Sequence, residues 1–316
     1  MQNVYSKIDR KKIVKEINRL RKEKNVIILA HYYIEPEVQD IADYIGDSLG
    51  LSQMAASTDA QTILFCGVKF MAETASIISP SKKVLIPDIT AGCSLAESIK
   101  PNDIIEWKKK NPEGVVVSYV NTTAEVKAHT DICCTSANAA KVIMSIPENK
   151  KILFGPDKNL ANYIQLLTKR EVDIWDGDCV VHEDFTTQLV EKLIEKHPDA
   201  DILIHPESKC SHDPAIYKRK NAYVLSTSGM IKKAGSSGAK DFIIVTEPGV
   251  IHQMQLMYPN KTFIAVDSKK KCIEMRKVTL EKVLWSLQND KYIVEVPEEI
   301  RVKAYPSIQR MLEIID

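Results

Sequence analysis

Ile28-Leu29-Ala30-His31 returns as Val116-Val117-Ser118-Tyr119 and again as Ile202-Leu203-Ile204-His205, with His31, Tyr119 and His205 separated by 88 and 86 residues. Each run is a short apolar stretch closed by a polar ring, the pattern of a buried parallel strand that ends at a site. The interval recurs beyond these strands. A second run closes on a hydroxyl as Tyr44-Ile45-Gly46-Asp47-Ser48, Ile132-Cys133-Cys134-Thr135-Ser136 and Tyr223-Val224-Leu225-Ser226-Thr227. A third appears as Ile63-Leu64-Phe65, Ile152-Leu153-Phe154 and Ile243-Ile244-Val245. After a fourth, near Val84–Ile86, Val172–Trp175 and Thr262–Ala265, each repeat places a cysteine: Cys93, Cys179 and Cys272. Four landmarks in one order at nearly one interval predict an internal triplication.

Helical patterns such as Val68–Ile78 separate the strands, which makes a βα rhythm. The predicted class is α/β: three homologous αβα sandwich domains, each with a four-stranded parallel sheet. Residues 1–112 form the unit carrying Cys93, 113–199 the unit carrying Cys179 and 200–290 the unit carrying Cys272. The C-terminal tail and helix, 291–316, are expected to pack back on the first unit. Open parallel sheets take ligands beyond the carboxyl ends of their strands. A pseudo-threefold arrangement with those ends inward would bring the three cysteines together.

The chain of 316 residues has 43 Lys plus Arg against 42 Asp plus Glu, so its net charge of +1 gives no footprint for a polyanionic partner such as nucleic acid. Residues 1–24 read as a charged amphipathic helix around Ile13, Ile17 and Leu20, without the apolar core of a signal peptide. No stretch is apolar for the roughly 18 residues of a membrane span, and the expected location is the cytoplasm. Thiols there stay reduced. Cys66, Cys133, Cys134 and Cys210 read as buried, inert side chains, and the three repeat-equivalent cysteines read as metal ligands.

Three thiolates with no equivalent fourth suit one [4Fe–4S] cluster with one open iron, a Lewis acid. Zinc is the competing metal, with His182, three residues past Cys179, completing a Cys₃His set. His31, Tyr32, Tyr33, Tyr119, Asn121, His205 and Glu207 fall at strand tips and suit a small, oxygen-rich anion. Ser48, Ser136 and Thr227 fall where strand turns into helix, a place for capping or for binding carboxylate or phosphate. His205-Pro206-Glu207 sets an imidazole beside a carboxylate, as acid–base chemistry requires. His129, His197, His212 and His252 have no repeat equivalents and read as surface or local helix residues, and Lys269-Lys270-Lys271 reads as a solvated loop.

Several segments together resemble the quinolinate synthase family of bacterial and archaeal NAD biosynthesis. They are Ile28-Leu29-Ala30-His31-Tyr32-Tyr33, Gly46-Asp47-Ser48-Leu49, Tyr119-Val120-Asn121-Thr122-Thr123, Cys134-Thr135-Ser136-Ala137-Asn138, Phe154-Gly155-Pro156-Asp157 and His205-Pro206-Glu207. The resemblance runs from about Val14 to the C-terminal helix. It implies a pseudo-threefold αβα architecture around a [4Fe–4S] cluster held by Cys93, Cys179 and Cys272. It implies condensation of iminoaspartate with dihydroxyacetone phosphate, releasing phosphate and two waters. By residue, it implies His31, Ser48, Tyr119, Asn121, Ser136, His205, Glu207 and Thr227 around the substrate. Tyr33 matches a tyrosine of later steps, so Glu207, His205, Tyr33 and Tyr119 form the catalytic set. His182 would stand behind the metal ligands. It also implies a functional link to an L-aspartate oxidase or dehydrogenase that supplies iminoaspartate.

Three features depart from the family pattern: Tyr32 stands where many members have asparagine, Thr227-Ser228-Gly229-Met230 replaces a Thr-Gly-Gln-Met run, and a C-terminal CxxCxxC is missing. Two other readings fit the triplicated scaffold. One is a diphthamide-type cluster enzyme that cleaves S-adenosylmethionine, and the other is a non-enzymatic iron–sulfur or zinc sensing module.

Overall fold

Strands that are covered on both faces become continuous apolar runs, and the computed structural model, which describes residues 7–314, assembles these runs into three sheets. The first contains β1 (Val26–His31), β2 (Tyr44–Gly46), β3 (Thr62–Cys66) and β4 (Lys83–Leu85) in the order β2-β1-β3-β4. The second contains β5 (Val115–Tyr119), β6 (Ile132–Cys134), β7 (Ile152–Gly155) and β8 (Asp173–Ile174) in the order β6-β5-β7-β8. The third contains β9 (Asp201–Ile204), β10 (Ala222–Val224), β11 (Asp241–Val245) and β12 (Thr262–Ala265) in the order β10-β9-β11-β12. Every pairing among these twelve strands is parallel. The α/β class with three four-stranded parallel sheets is therefore the one observed, and the same strand order occurs three times.

In that order the first strand of each repeat lies between the second and the third. The chain leaves it toward opposite sides, which opens a crevice at the carboxyl ends of the first and third strands. The residues just beyond β5, β7, β9 and β11 stand at such crevices.

Residues up to Cys93 together with Ile273–Pro297 form one compact unit, and Ser94–Cys272 with the chain from Glu298 onward form another. In the first unit the helix Lys7–Glu23 buries Ile13, Ile17 and Leu20. This is the amphipathic face expected of the opening stretch, whose first six residues lie outside the described region. It packs against the helix Leu280–Asn289. Asn25, at φ 48°, turns the chain from the opening helix into β1, a left-handed position that asparagine tolerates. The helix Lys69–Ile78 starts one residue later than expected and buries Phe70, Met71, Ala72, Ala75 and Ile77. Residues 292–294 run antiparallel to β4, with Ile86 N–H to Tyr292 O at 3.0 Å and Val294 N–H to Val84 O at 2.8 Å.

In the second unit Ile202, Ile204, Ile243 and Val245 share a core with Val181, Phe185 and Val190, and Cys179 and Cys272 both pack at its margin. The sequence reading sets the C-terminal helix, Glu298–Glu313, on the first unit. It lies instead in the second, against β6 and the helix Ala124–Lys127. Its apolar stripe of Ala304, Ile308 and Met311 is fully buried there, and Asn138 Nδ2 closes its end by donating to Met311 O at 3.0 Å and Ile314 O at 2.9 Å. Only the tail ahead of that helix joins the first unit. Among the described residues no helix is long and apolar enough to cross a membrane.

Candidate active site

The chain beyond β9 turns sharply through His205-Pro206-Glu207. Backbone and side chains pin that turn: His205 N–H and Ser208 Oγ both donate to Val245 O at 3.0 Å, Ser211 Oγ donates to Pro206 O at 2.8 Å, and Asn159 Nδ2 donates to Glu207 O at 3.1 Å. A carboxylate on so fixed a turn has one direction to face. Glu207 is 4% exposed, and it accepts from Tyr119 Oη at Oε1 and faces His182 Nδ1 at 3.0 Å from Oε2. His205 Nδ1 faces the Glu207 N–H at 3.4 Å and Oε1 at 3.8 Å.

His182 lies in a single 3₁₀ turn just after Cys179. Its Nδ1 is 3.2 Å from Cys179 Sγ, its Nε2 is 2.8 Å from Thr246 Oγ1, and its ring stacks on His205 at 4.9 Å. Tyr119, His182, His205 and Glu207 thus form one buried network drawn from the ends of β5 and β9 and from the loop beyond β8. Burial would raise the Glu207 pKa, but the His182 and His205 imidazoles and the hydrogen bonds from His182 and Tyr119 outweigh it and hold the carboxyl far below the usual range. Burial and the charge of Glu207 push the nearby Asp157 carboxyl well above that range.

The hydroxyls at the second strand ends stand where the sequence places them, but they do not cap. Asp47 accepts from Gly50 N–H at 3.1 Å and Ser226 from Gly229 N–H at 3.2 Å, so Ser48 and Thr227 occupy the first helical position instead. A cap must lie one residue outside the helix for its oxygen to reach the third amide. Ser136 lies in the turn ahead of the helix Ala139–Ser145. Asn121 stands just past β5, and its Oδ1 is buried without a hydrogen-bond partner among the described residues, an acceptor suited to a ligand donor. In the first unit the end of β1 repeats the β9 design: His31 Nδ1 accepts from Tyr33 N–H at 3.2 Å, with the two rings edge-on at 4.5 Å.

The seven cysteines separate by environment. Cys66, Cys133, Cys134 and Cys210 are buried, whereas Cys93, Cys179 and Cys272 are half-buried. Burial raises the thiol pKa of all four of the former, Cys210 to about 12, so they resist becoming thiolates. The three repeat-equivalent thiols are the accessible ones. One ligand atom each from Cys179, His182 and Glu207 also lies within 4.8 Å of the others, a set able to hold a metal ion.

Four residues go beyond those the sequence points to. Thr246 holds His182 from the residue after β11, and Glu247 beside it accepts from Cys272 N–H at 3.3 Å. Asp157 occupies the corresponding place after β7. Lys127, fully buried, donates to Val120 O at 2.8 Å and to Thr122 O, clamping the loop that carries Asn121. Asp157 lies in a segment that carries a family motif. Thr246 and Glu247 follow a third strand in the repeat frame, which is a signal for them, and Lys127 on a short helix gives none.

The family described as quinolinate synthetase A protein matches residues 15–313. A quinolinate synthase of Thermus thermophilus is 45% identical over 302 residues, covering 96% of this chain and 97% of its own. One of Pyrobaculum aerophilum is 49% identical over 301 residues, covering 94% of this chain and 98% of its own. One of Synechocystis sp. is 47% identical over 305 residues, covering 95% and 94%. The family match, residues 15–313, spans all three sheets and the network around Glu207, and the chain belongs to the quinolinate synthase family of enzymes.

Proposed function

We propose that the chain condenses iminoaspartate with dihydroxyacetone phosphate to give quinolinate, phosphate and two waters, with Cys93, Cys179 and Cys272 each supplying one thiolate to a single [4Fe–4S] cluster. The observation that carries the reading is the buried Tyr119–Glu207–His205–His182 network at a strand-end crevice, in contact with Cys179. The three half-buried, repeat-equivalent thiols fit a three-ligand cluster, and the four buried ones do not. When bound, such a cluster supplies an open iron that acts as a Lewis acid toward a substrate oxygen.

The protein's own groups do the rest. Glu207, held ionised, takes a proton at Oε1 during enolisation, and Tyr119 Oη, hydrogen-bonded to that oxygen, delivers one to a departing hydroxyl. His205 and His31 each face the amide two residues on through Nδ1, which fixes the ring and presents Nε2–H to a substrate oxygen. Tyr33 donates in later dehydration. Ser48, Ser136 and Thr227, at or beside the first turns of helices, hold carboxylate or phosphate with the exposed amides there. Asn121 Oδ1 accepts from the substrate nitrogen or a hydroxyl. We place the protein in the cytoplasm, supplied with iminoaspartate by an L-aspartate oxidase or dehydrogenase.

A second reading rests on one observation: Cys179, His182 and Glu207 could hold a single divalent ion such as zinc. Full-length similarity to quinolinate synthases disfavours S-adenosylmethionine cleavage. Anaerobic purification with iron, sulfide and zinc analysis, then an assay for quinolinate from the two substrates, tests all of this. Iron and sulfide that vanish when any one of the three cysteines is replaced by alanine support the cluster. Protein holding zinc and no iron would overturn it.

A further inference from the structure

Backbone amides at the cysteine loops are taken up by acid side chains. In the second unit Glu247, fully buried two residues past β11, accepts from Cys272 N–H at Oε1 (3.3 Å) and from Gly249 N–H at Oε2 (2.5 Å). In the first unit Glu274 Oε2 accepts from Gly92 N–H, the amide just ahead of Cys93, at 2.7 Å, and Lys277 steadies it from 2.7 Å while also donating to Thr90 O. Asp157, two residues past β7 as Glu247 is past β11, accepts from Leu160 N–H at 2.7 Å.

We infer that Glu247 and Glu274 are positioning residues for Cys272 and Cys93, each fixing a ligand-bearing loop through a backbone amide. The inference rests on the cluster reading above. Its physical basis is that the three cysteines lie on irregular loops, where no helix or sheet ladder fixes the thiol direction, so another acceptor must hold the amide. A side chain that orients a ligand from behind tunes the metal as well as holding it. Here the tuning has a sign. An amide given to a carboxylate is not given to a thiolate or sulfide sulfur, and a buried carboxylate adds negative charge, so both effects lower the reduction potential of a cluster. The device favours a cluster that stays oxidised and serves as a Lewis acid.

The test compares wild type with Glu247→Ala, Glu247→Gln and Glu274→Ala. Iron loss to a chelator should be about ten-fold faster in both alanine variants. Glu247→Gln keeps an oxygen for the Cys272 amide, so it should retain iron while its midpoint potential, followed by spectroelectrochemical titration, moves upward. In protein stripped of iron, iodoacetamide with peptide mapping should show a changed Cys272 rate in Glu247→Ala and a changed Cys93 rate in Glu274→Ala, with Cys179 as the internal reference. Wild-type chelation kinetics together with unchanged alkylation at the paired cysteine would overturn the inference. Wild type that never binds iron would instead overturn the cluster reading, and the alkylation arm would still decide the positioning. Glu274, with its side chain 24% exposed, gives a variant whose folding is less at risk than that of the buried Glu247.

Discussion

At the end of β9 the His205 ring faces the Glu207 amide at 3.4 Å, and at the end of β1 the His31 ring faces the Tyr33 amide at 3.2 Å. The backbone hook is the same, but the residue two places on is a carboxylate in the third repeat and a phenol in the first. The second repeat carries Tyr119 and Asn121 at the same two places. Triplication thus set the positions, and substitution at fixed positions supplied different chemistry. A proton acceptor, a proton donor and an amide stand at one repeated address.

The sharpest way to break this comparison is Glu207→Gln. The amide oxygen can still accept from Tyr119 but cannot hold a proton, so kcat should fall by about 10²–10⁴-fold while iron content stays at the wild-type level. Wild-type turnover would mean that the third-repeat position is no more chemical than its counterparts. Tyr33→Phe probes the first-repeat position. It keeps the ring against His31 and removes only the hydroxyl, so kcat should drop by about 10²-fold with KM little changed. If the two variants lose activity to the same degree and at the same step, the division of roles between the repeats is wrong.

The sheets are legible in the sequence because each strand is buried on both faces: β3, β7 and β9 have no exposed residue, and such strands read as apolar runs without alternation. β8 is less legible. At the sheet edge it has only Asp173 and Ile174, both half-buried, and the expected Val172–Trp175 strand shrinks to that pair. Repeat register alone distinguishes Cys93, Cys179 and Cys272 from the other thiols, and the burial pattern makes the same division. What the register cannot reveal is contact across distant turns. The bond from His182 to Thr246 spans 64 residues, and that from Cys272 to Glu247 spans 25 and leaves no periodic trace. The C-terminal helix departs from its expected place for a related reason, since an amphipathic stripe shows that a helix packs but not on what.

Thr246→Val sharpens the third-repeat side of the comparison. It keeps the shape and removes the hydroxyl, so a fully buried imidazole nitrogen loses its partner 2.8 Å away. The expected loss is about 1–3 kcal/mol of stability, read as a lowered urea midpoint. His31 accepts the Tyr33 amide within its own hook, and no threonine stands after β3, where Gly67 and Val68 follow Cys66. If Thr246→Val left the midpoint unchanged, the Thr246 hydroxyl would contribute nothing to holding His182.

The smallest effect concerns the loop ahead of Cys93, which the first unit ties down with exposed or half-buried charges where the second uses the buried Glu247. Asp88 Oδ2 accepts from Lys282 Nζ, and Asp88 Oδ1 accepts from Thr90 N–H at 2.8 Å. Burial would raise the Asp88 pKa, but the Lys282 and Thr90 hydrogen bonds and the Lys282 charge outweigh it and hold it below the ordinary carboxylate range. A depressed carboxyl adds stability above its unfolded pKa, and that stability is lost as pH falls through the folded value. Asp88→Asn should therefore cost about 1 kcal/mol near pH 7, and the gap from wild type should close below roughly pH 4. Denaturation curves for the two proteins across pH 3 to 8 would read it. A gap that persists undiminished into acid would mean that Asp88 acts through shape and hydrogen bonding rather than charge, and that the first unit fixes its cysteine loop much as the second does.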